Sequence, residues 1–269
     1  IINGVETWIP GGVFYLTEWR TSYNGIEASF VARDILEYLL DKPYTGEISG
    51  TLYTMAQRAI AEAALPEDIS ISVTSQLSKY PVTEIENKGE FSCAEILQKC
   101  ANAGGCVMWS RRTGQFVVKA MDYTDSGYTI PLKFSYSHPE FDFSRPMKNV
   151  QVNYYDNESI LYQYGGKGET QTLDNDFIKT RDQAIKIAEW VCDSLRSRKR
   201  ISGEFRGDPR FDIFDVVKVE GKYSTVVGVV LTEIVVSFTG AFKVTYSGYI
   251  HGSGEPVVYY SGEKYAGEV

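Results

Sequence analysis

Residues 203–221 read "GEFRGDPRFDIFDVVKVEG", and the way this stretch folds sets the architecture around it. Arg206-Gly207-Asp208 is a tripeptide that serves as a cell-adhesion signal in other settings. Here it lies between two runs, "ISGEFRG" and "DVVKVEG", that alternate apolar and polar residues as half-buried strands do. Pro209 fixes φ at about −65° and has no N–H to give to a ladder, so it suits a turn. The expected structural turn comprises Gly207, Asp208 and Pro209, with Asp215 opening the next strand. The tripeptide then reads as a bend between strands.

Upstream, "AIKIAEWVCDSLRSR" (184–198) is the clearest helix in the chain. Ala184, Ile187, Ala188, Val191, Cys192 and Leu195 form one apolar face, and Thr180 and Asp182 lie near its start. Downstream, "TVVGVVLTEIVVSFTGAFKVTYSGYI" (225–250) continues as a meander or hairpin pair. At the other end, "GVFYLTEWRTS" (12–22) and "YNGIEASFVA" (23–32) read as a hairpin turning at Asn24-Gly25. "RDILEYLLDKPY" (33–44) is helical until Pro43, and "TLYTMAQRAIAEAALP" (51–66) is a second helix with Met55, Ala59, Ile60 and Ala63 on its apolar stripe.

Between these regions, residues 69–82 look extended. Ser92 followed by Glu95 is a capping-box pattern, which opens a helix carrying Ile96, Leu97 and Cys100 and ending at Gly104-Gly105. Residues 106–121 then form a hairpin with Thr113-Gly114 at its turn. "DNESILYQYGGKGETQTLDND" (156–176) reads as a hairpin and loop, and the segment after Gly252 reads as a loose tail.

Composition narrows the function. The 269 residues are 43% hydrophobic and 23% charged, as in a folded globular protein. A net charge of −8 repels phosphate backbones and argues against a nucleic-acid partner. The basic run at 196–200 reads as a solvated helix end. No apolar run reaches the roughly 18 residues of a membrane span. The chain opens with Ile-Ile-Asn, without a Met or a signal-peptide pattern, and reads as a piece of a longer protein. Cys93 and Cys100 lie about 10.5 Å apart along a helix, beyond the roughly 7 Å a disulfide allows. With Cys106 and Cys192 they read as buried free thiols.

Chemistry is hard to find. "YGGKGET" (164–170) lacks the spacing of a phosphate loop and reads as a hairpin tip. The only histidines, His138 and His251, sit before a proline and beside a glycine-rich tail, away from the cysteines. Glu140 with Asp142, Asp174 with Asp176, and Asp212 with Asp215 could serve a glycosidase. With 35 acidic residues, such pairs arise by chance. We assign no catalytic, cofactor-binding or metal-binding residue, and expect no cofactor.

The order of elements resembles the hub proteins at bacteriophage tail tips, the family related to the baseplate hub of contractile tails. The resemblance rests on the helix at 184–198, on the Gly-Asp-Pro-Arg of 207–210, and on Leu231, Thr232, Ile234, Phe238 and Gly240 in an "L-T-x-I-x-x-x-F-x-G" pattern. "GVFYLTEW", "EASFVARDILEYLLDKPY" and "AEILQKCANAGGCVMWSRRTGQFVV" match its earlier parts in order. Many of these relatives have glycine where this chain has Phe214.

The resemblance implies an α+β protein with two small β-barrel-like domains flanking a small α/β insert. Residues 1–68 would be a partial first barrel with two helices, 69–135 the insert, 136–252 the second barrel with helix 180–199 packed on it, and 253–269 the tail. It implies a structural, non-enzymatic virion tail component made in the bacterial cytoplasm. Its partners would be two further copies of itself, in a trimeric ring joining tail tube to tip, and other tail proteins. The alternatives are a carbohydrate- or receptor-binding module of a tail, suggested by the 19 Tyr and 13 Phe, and a cell-wall hydrolase.

Overall fold

The computed structural model describes residues 6, 8–23, 25–67, 69–87, 89–120, 124–142, 149–155, 158–163, 169–196, 199–208, 210–222, 225–251, 258–260 and 263–265. The chain divides into two compact units, each built from three separate segments. One takes Ile1–Met121, Asn149–Gln163 and Thr170–Val191; the other takes Asp122–Lys148, Tyr164–Glu169 and Cys192–Val269.

The first unit opens with an antiparallel ribbon of β1 (Tyr15–Thr21) and β2 (Ala28–Arg33). Gly25 takes φ +66° in the turn between them, where a Cβ would be strained. Asp34 caps the short α1 (Ile35–Leu40) by accepting from Leu36 N–H at 3.1 Å. β3 (Ile48–Thr51) runs into α2 (Leu52–Ala63), which Thr51 and Thr54 cap reciprocally. Leu52, Met55, Ala56, Ala59 and Ala63 form the buried face of α2, and the three alanines let the helix lie close to its neighbours.

Residues 69–82 were expected to be extended throughout, and the structure differs. β4 (Ile71–Val73) stops at Thr74, whose side chain caps the 3-10 turn Ser75–Lys79. The turn buries Leu77, and an ideal Cβ on Gly104 would lie 2.0 Å from its Cδ2. Burying that leucine is worth about 2 kcal/mol, which a continuous strand with Leu77 outward would forfeit. β5 (Pro81–Ile85) then pairs antiparallel with β3.

The capping box predicted at Ser92 and Glu95 starts α3 (Cys93–Ala103). Glu95 N–H donates to Ser92 Oγ at 3.2 Å, and Ser92 N–H donates to Glu95 Oε2 at 2.7 Å. α3 packs on α2 and buries Cys93, Ile96, Leu97 and Cys100. β6 (Val107–Ser110) and β7 (Phe116–Lys119) form the expected hairpin, with Gly114 at φ +82° in its turn. β4 joins it in parallel beside β7, giving the order β4-β7-β6.

The chain leaves this unit for β8 (Thr124–Ile130) and β9 (Glu140–Asp142), and returns with β10 (Asn149–Tyr154), β11 (Glu158–Gln163) and β12 (Thr170–Asp174). β10 is central, antiparallel to β11 and parallel to β12. β11 and β12 therefore flank β10 instead of pairing with each other as the expected hairpin would. The Gly-rich stretch 164–168 lies outside the described residues. α4 (Arg181–Arg196) follows, with Ala184, Ile187, Ala188 and Cys192 buried. It was expected on the second barrel; through Val191 it belongs to the first unit. Its buried Gln183 side chain donates to Ala103 O, which ties it to the end of α3.

In the second unit, β13 (Arg200–Arg206), β14 (Asp215–Glu220), β15 (Val226–Phe238) and β16 (Phe242–Ile250) join β8 and β9 in one six-stranded sheet, ordered β8-β14-β15-β16-β13-β9. β8 and β14 are parallel; the other neighbours are antiparallel. One core gathers residues from most of these strands, including Ile130, Ile201, Phe205, Val217, Val229, Leu231, Val244 and Tyr246. The pairings leave β8 and β9 as the ends of the sheet, and no closed barrel forms among the described residues. β17 (Val258–Tyr260) and β18 (Glu263–Tyr265) pair with each other in the stretch read as a tail.

Candidate interaction surface

The residues weighed for chemistry do not assemble. Among the described residues no group of three or more His, Cys, Asp or Glu is placed to hold a metal. Glu140 and Asp142 sit on β9, opposite Ser202 and Arg200 in the register. Asp174 ends β12, and Asp176 forms a 3.7 Å ion pair with Lys99. All four cysteines are buried, and none forms a disulfide. Burial pushes Cys93 and Cys106 each up to about 11 and raises Cys100 further, so none of these three is held as a nucleophilic thiolate near neutral pH.

The quoted loop carries its own set of constraints. Gly207 N–H donates to Phe242 O at 3.2 Å, extending the β13–β16 ladder by one bond. An ideal Cβ on Gly207 would lie 2.2 Å from the Phe242 ring and 2.8 Å from Val244 Cγ2, so close packing of that ring is what the glycine permits. Asp208 faces inward on its own loop. Its Oδ1 accepts from Arg210 N–H at 3.0 Å and from Arg210 Nε at 2.8 Å, and its Oδ2 accepts from Nε and Nη2. The Arg210 guanidinium lies 4.5 Å over the Tyr128 ring. With its carboxylate gripped by this fork, Arg206-Gly207-Asp208 does not present a free acid to a receptor. Pro209 lies outside the described residues. Asp215 Oδ2 accepts from Asp212 N–H at 2.9 Å, closing the loop before β14. The loop does not join neighbouring strands, because β15 and β16 lie between β14 and β13.

Just before Asp215, Phe214 takes φ +69° while its N–H donates to Leu231 O at 2.8 Å. A bulky aromatic is an outlier in this left-handed region. The glycine noted in the resembling proteins at this position fits the same backbone without strain.

The surface itself is conspicuous on β1 and β2. The register pairs Leu16 with Ala32, Trp19 with Phe30 and Thr21 with Ala28. Leu16 and Trp19 are three apart, so in a regular strand they would point to opposite faces. The register shifts between Leu16 and Glu18, so Thr17 is an extra, bulged residue, and Leu16 returns to the face of Trp19. The result is a mainly apolar face of Leu16, Trp19, Ala28, Phe30 and Ala32, with Thr21 at its end. The opposite face mixes Tyr15 and Val31 with Glu18, Arg20, Ser29 and Arg33, and Glu18 and Arg20 are ion-paired at 3.0 Å. Trp19 is 65% exposed and Phe30 70%. Sequence reading located the hairpin and missed this sidedness, because a bulge hides the face from simple alternation. The three-residue spacing of Leu16 and Trp19 inside a strand was the available signal.

A second apolar patch lies at the far end of β15 and β16. β14 accompanies β15 only over Val226–Val230, so the stretch from Glu233 to Phe238 pairs with β16 alone. Val235, Val236 and Phe238 are exposed there.

No family model matches the sequence, and no curated protein matches it. Solved structures do match the fold. The tail protein from Neisseria meningitidis MC58 aligns over 88% of this chain and 79% of its own, at 14% identity and a TM-score of 0.67. The 43 kDa tail protein of prophage MuSo2 from Shewanella oneidensis aligns over 87% and 78%, at 16% identity and a TM-score of 0.64. A chain of a native gene transfer agent virion aligns over 77% of this chain and 48% of its own, at 14% identity and a TM-score of 0.52. At such identities the likeness establishes a common fold.

Proposed function

From a fold shared with phage and prophage tail proteins, we propose that this chain is a structural component of a tail tip, the baseplate hub of a phage or prophage. The observation that carries the reading is the alignment with a tail protein over 88% of the chain. The role is scaffolding: copies of the chain form a trimeric ring that joins tail tube to tip, and the ring binds other tail proteins. Synthesis takes place in the bacterial cytoplasm and the mature site is the virion tail. Scattered carboxylates and buried thiols fit a protein that is not an enzyme.

Two hydrogen bonds support a barrel-like curl of the six-stranded sheet. Leu132 N–H donates to Glu220 Oε2 on β14, and Tyr136 N–H donates to Glu204 O on β13. Two residues only four positions apart thus link strands separated in the sheet by β15 and β16. Part of that short link is the 3-10 turn Leu132–Phe134, with a rise of about 2 Å per residue. A flat sheet would hold these strands about 14 Å apart, so the link favours a sheet that bends around its core. The turn formed by Gly207, Asp208, Pro209 and Asp215 is a structural element of that curl.

Removing the gene from its prophage tests the role. Induced particles with tubes but no tips, or with no assembled tails, are the expected result. Complete, infective tails would refute it. The exposed aromatic residues favour a second reading, a carbohydrate- or receptor-binding module. Titrating intrinsic fluorescence with cell-wall sugars separates the two, since a saturable change supports binding and its absence removes this reading.

A further inference from the structure

The six-stranded sheet ends in β8 and β9, and both ends are guarded. β9 is three residues long and carries Glu140 and Asp142. β8 is kinked, with Gly127 at φ +67° and a register shift against β14. Short length, charge and bulges keep a strand edge from pairing with another chain. A third stretch of edge has no such guard. Past Leu231, no strand among the described residues lies on the β14 side of β15. Residues 234–242, "IVVSFTGAF", hold no charge and no proline.

The register tells which main-chain groups this edge presents. Gly207 N–H, continuing β13, donates to Phe242 O. Main-chain groups alternate in direction along an antiparallel strand, so Val244 and Tyr246 also face β13. Their register partners Phe238, Val236 and Ile234 therefore turn their N–H and C=O away from β16. Leu231, opposite Gly248, keeps to the same alternation by accepting from Phe214 N–H on that edge. Among the described residues nothing bonds the main chain of Ile234, Val236 or Phe238 there. The side chains are sorted as well. Ile234 packs against the core, so Val236 and Phe238 continue its face, each more than half exposed. Glu233, Val235 and Ser237 take the other face, where Glu233 Oε2 accepts from Ser247 Oγ at 3.1 Å.

We propose that this edge accepts an extended strand of a different protein, which joins the sheet beside β15. The main chain itself names the occupant. Only an extended chain offers donors and acceptors that recur every second residue, about 7 Å apart; a helix, a glycan or a lipid does not. The residues of that strand opposite Ile234, Val236 and Phe238 are apolar, because they carry the core outward over Val236 and Phe238. Those on its other face are polar, with a lysine or arginine beside Glu233. A basic strand also suits a chain of net charge −8, which repels a second copy of itself.

Amide hydrogen exchange, followed residue by residue in the full chain, tests the pairing with a capped peptide Val-Thr-Val-Thr-Val-Lys as the probe. Antiparallel to β15, its valines lie opposite Phe238, Val236 and Ile234 and its lysine opposite Glu233. In the free chain the amides of Val235 and Ser237, turned to β16, are expected to exchange slowly, and those of Ile234, Val236 and Phe238 fast. Saturating peptide is expected to slow the latter three at least about tenfold. Methylating the amide nitrogen of the central valine is expected to weaken binding by about tenfold or more. The same methyl on the threonine before it, whose N–H points away, is expected to change binding by less than about twofold. Glutamate in place of the lysine is expected to weaken it about threefold. Val236→Lys, with an unchanged thermal midpoint to show that it folds, is expected to lose the peptide. No saturable protection, binding indifferent to where the methyl sits, a glutamate peptide that binds as well, or a Val236→Lys chain that still binds would each overturn the proposal. Protection of the three amides without peptide overturns it too, and assigns the edge to a second copy if that protection grows with protein concentration. The tail role stands under every one of these outcomes.

Discussion

The Gln183 side chain donates from Nε2 to the carbonyl of Ala103 at 2.8 Å, while its Oε1 accepts from Lys179 N–H at 3.0 Å. It is only 5% exposed. Asn175 makes a parallel contact, donating to Lys99 O at 2.8 Å while accepting from Phe177 N–H at 3.0 Å. The last turn of any helix leaves carbonyls without intrahelical donors. Here amides some eighty positions later in the chain serve α3. Gln183→Leu keeps the volume and removes both bonds, leaving the buried Ala103 carbonyl and the part-buried Lys179 N–H without this partner. A loss of about 1–3 kcal/mol is expected, read as a lower urea midpoint. An unchanged midpoint would show that the pair contributes no net stability.

Glu62 reaches back from α2 to the loop before β3. It accepts from Thr45 N–H at 2.6 Å, from Gly46 N–H at 3.1 Å, and from the Thr45 hydroxyl. Burial pushes this carboxyl upward, but the hydrogen bonds outweigh it and hold it below its ordinary value. A depressed folded value means that the stabilisation is complete above the unfolded pKa of about 4.3. It is lost as pH falls through the folded value. Glu62→Gln should lower stability by about 1 kcal/mol at neutral pH and flatten the acid limb of the stability profile. A variant whose acid limb matches wild type would count against the assignment.

Gly207→Ala places a methyl against Phe242 and Val244. Overpacking of this kind costs about 1–3 kcal/mol. Pairing it with Phe242→Leu should recover part of the loss, since the clash is with the ring. If the double variant is simply additive, the glycine is needed for some other reason.

Phe214 allows a comparison that reverses the usual order of substitutions. At φ +69°, alanine keeps the backbone strain and glycine relieves it. Both remove the aromatic ring, so Phe214→Gly should be more stable than Phe214→Ala by about 1 kcal/mol. Thermal unfolding of the two proteins side by side decides it, and alanine ranking above glycine would contradict the strain.

What could be read in advance was local. The capping box of Ser92 and Glu95 uses atoms three residues apart, and it appeared where the sequence placed it. The hairpin of β15 and β16 needs only alternation and a short turn. The parallel pairing of β10 with β12, and of β8 with β14, left no comparable mark, because it joins segments with other strands between or beside them. The amphipathic face of α4 was plain, but a face does not name its neighbour, and Gln183 looked like any polar residue until Ala103 was seen beneath it. The candidate surface was half legible: Trp19 and Phe30 stand out in the sequence, whereas the bulge at Thr17 that aligns Leu16 with them does not.

The two units alternate through six segments, so the chain passes between them five times. During synthesis the first unit therefore cannot be finished when the segment ending at Met121 leaves the ribosome. It waits for the segments ending at Gln163 and Val191, because folding of each unit needs all of its parts. Until then α3 lacks the Asn175 and Gln183 amides that its carbonyls accept from. A nascent chain stalled before Val191 should be an easy target for proteases and holdase chaperones, and one stalled beyond it should resist them.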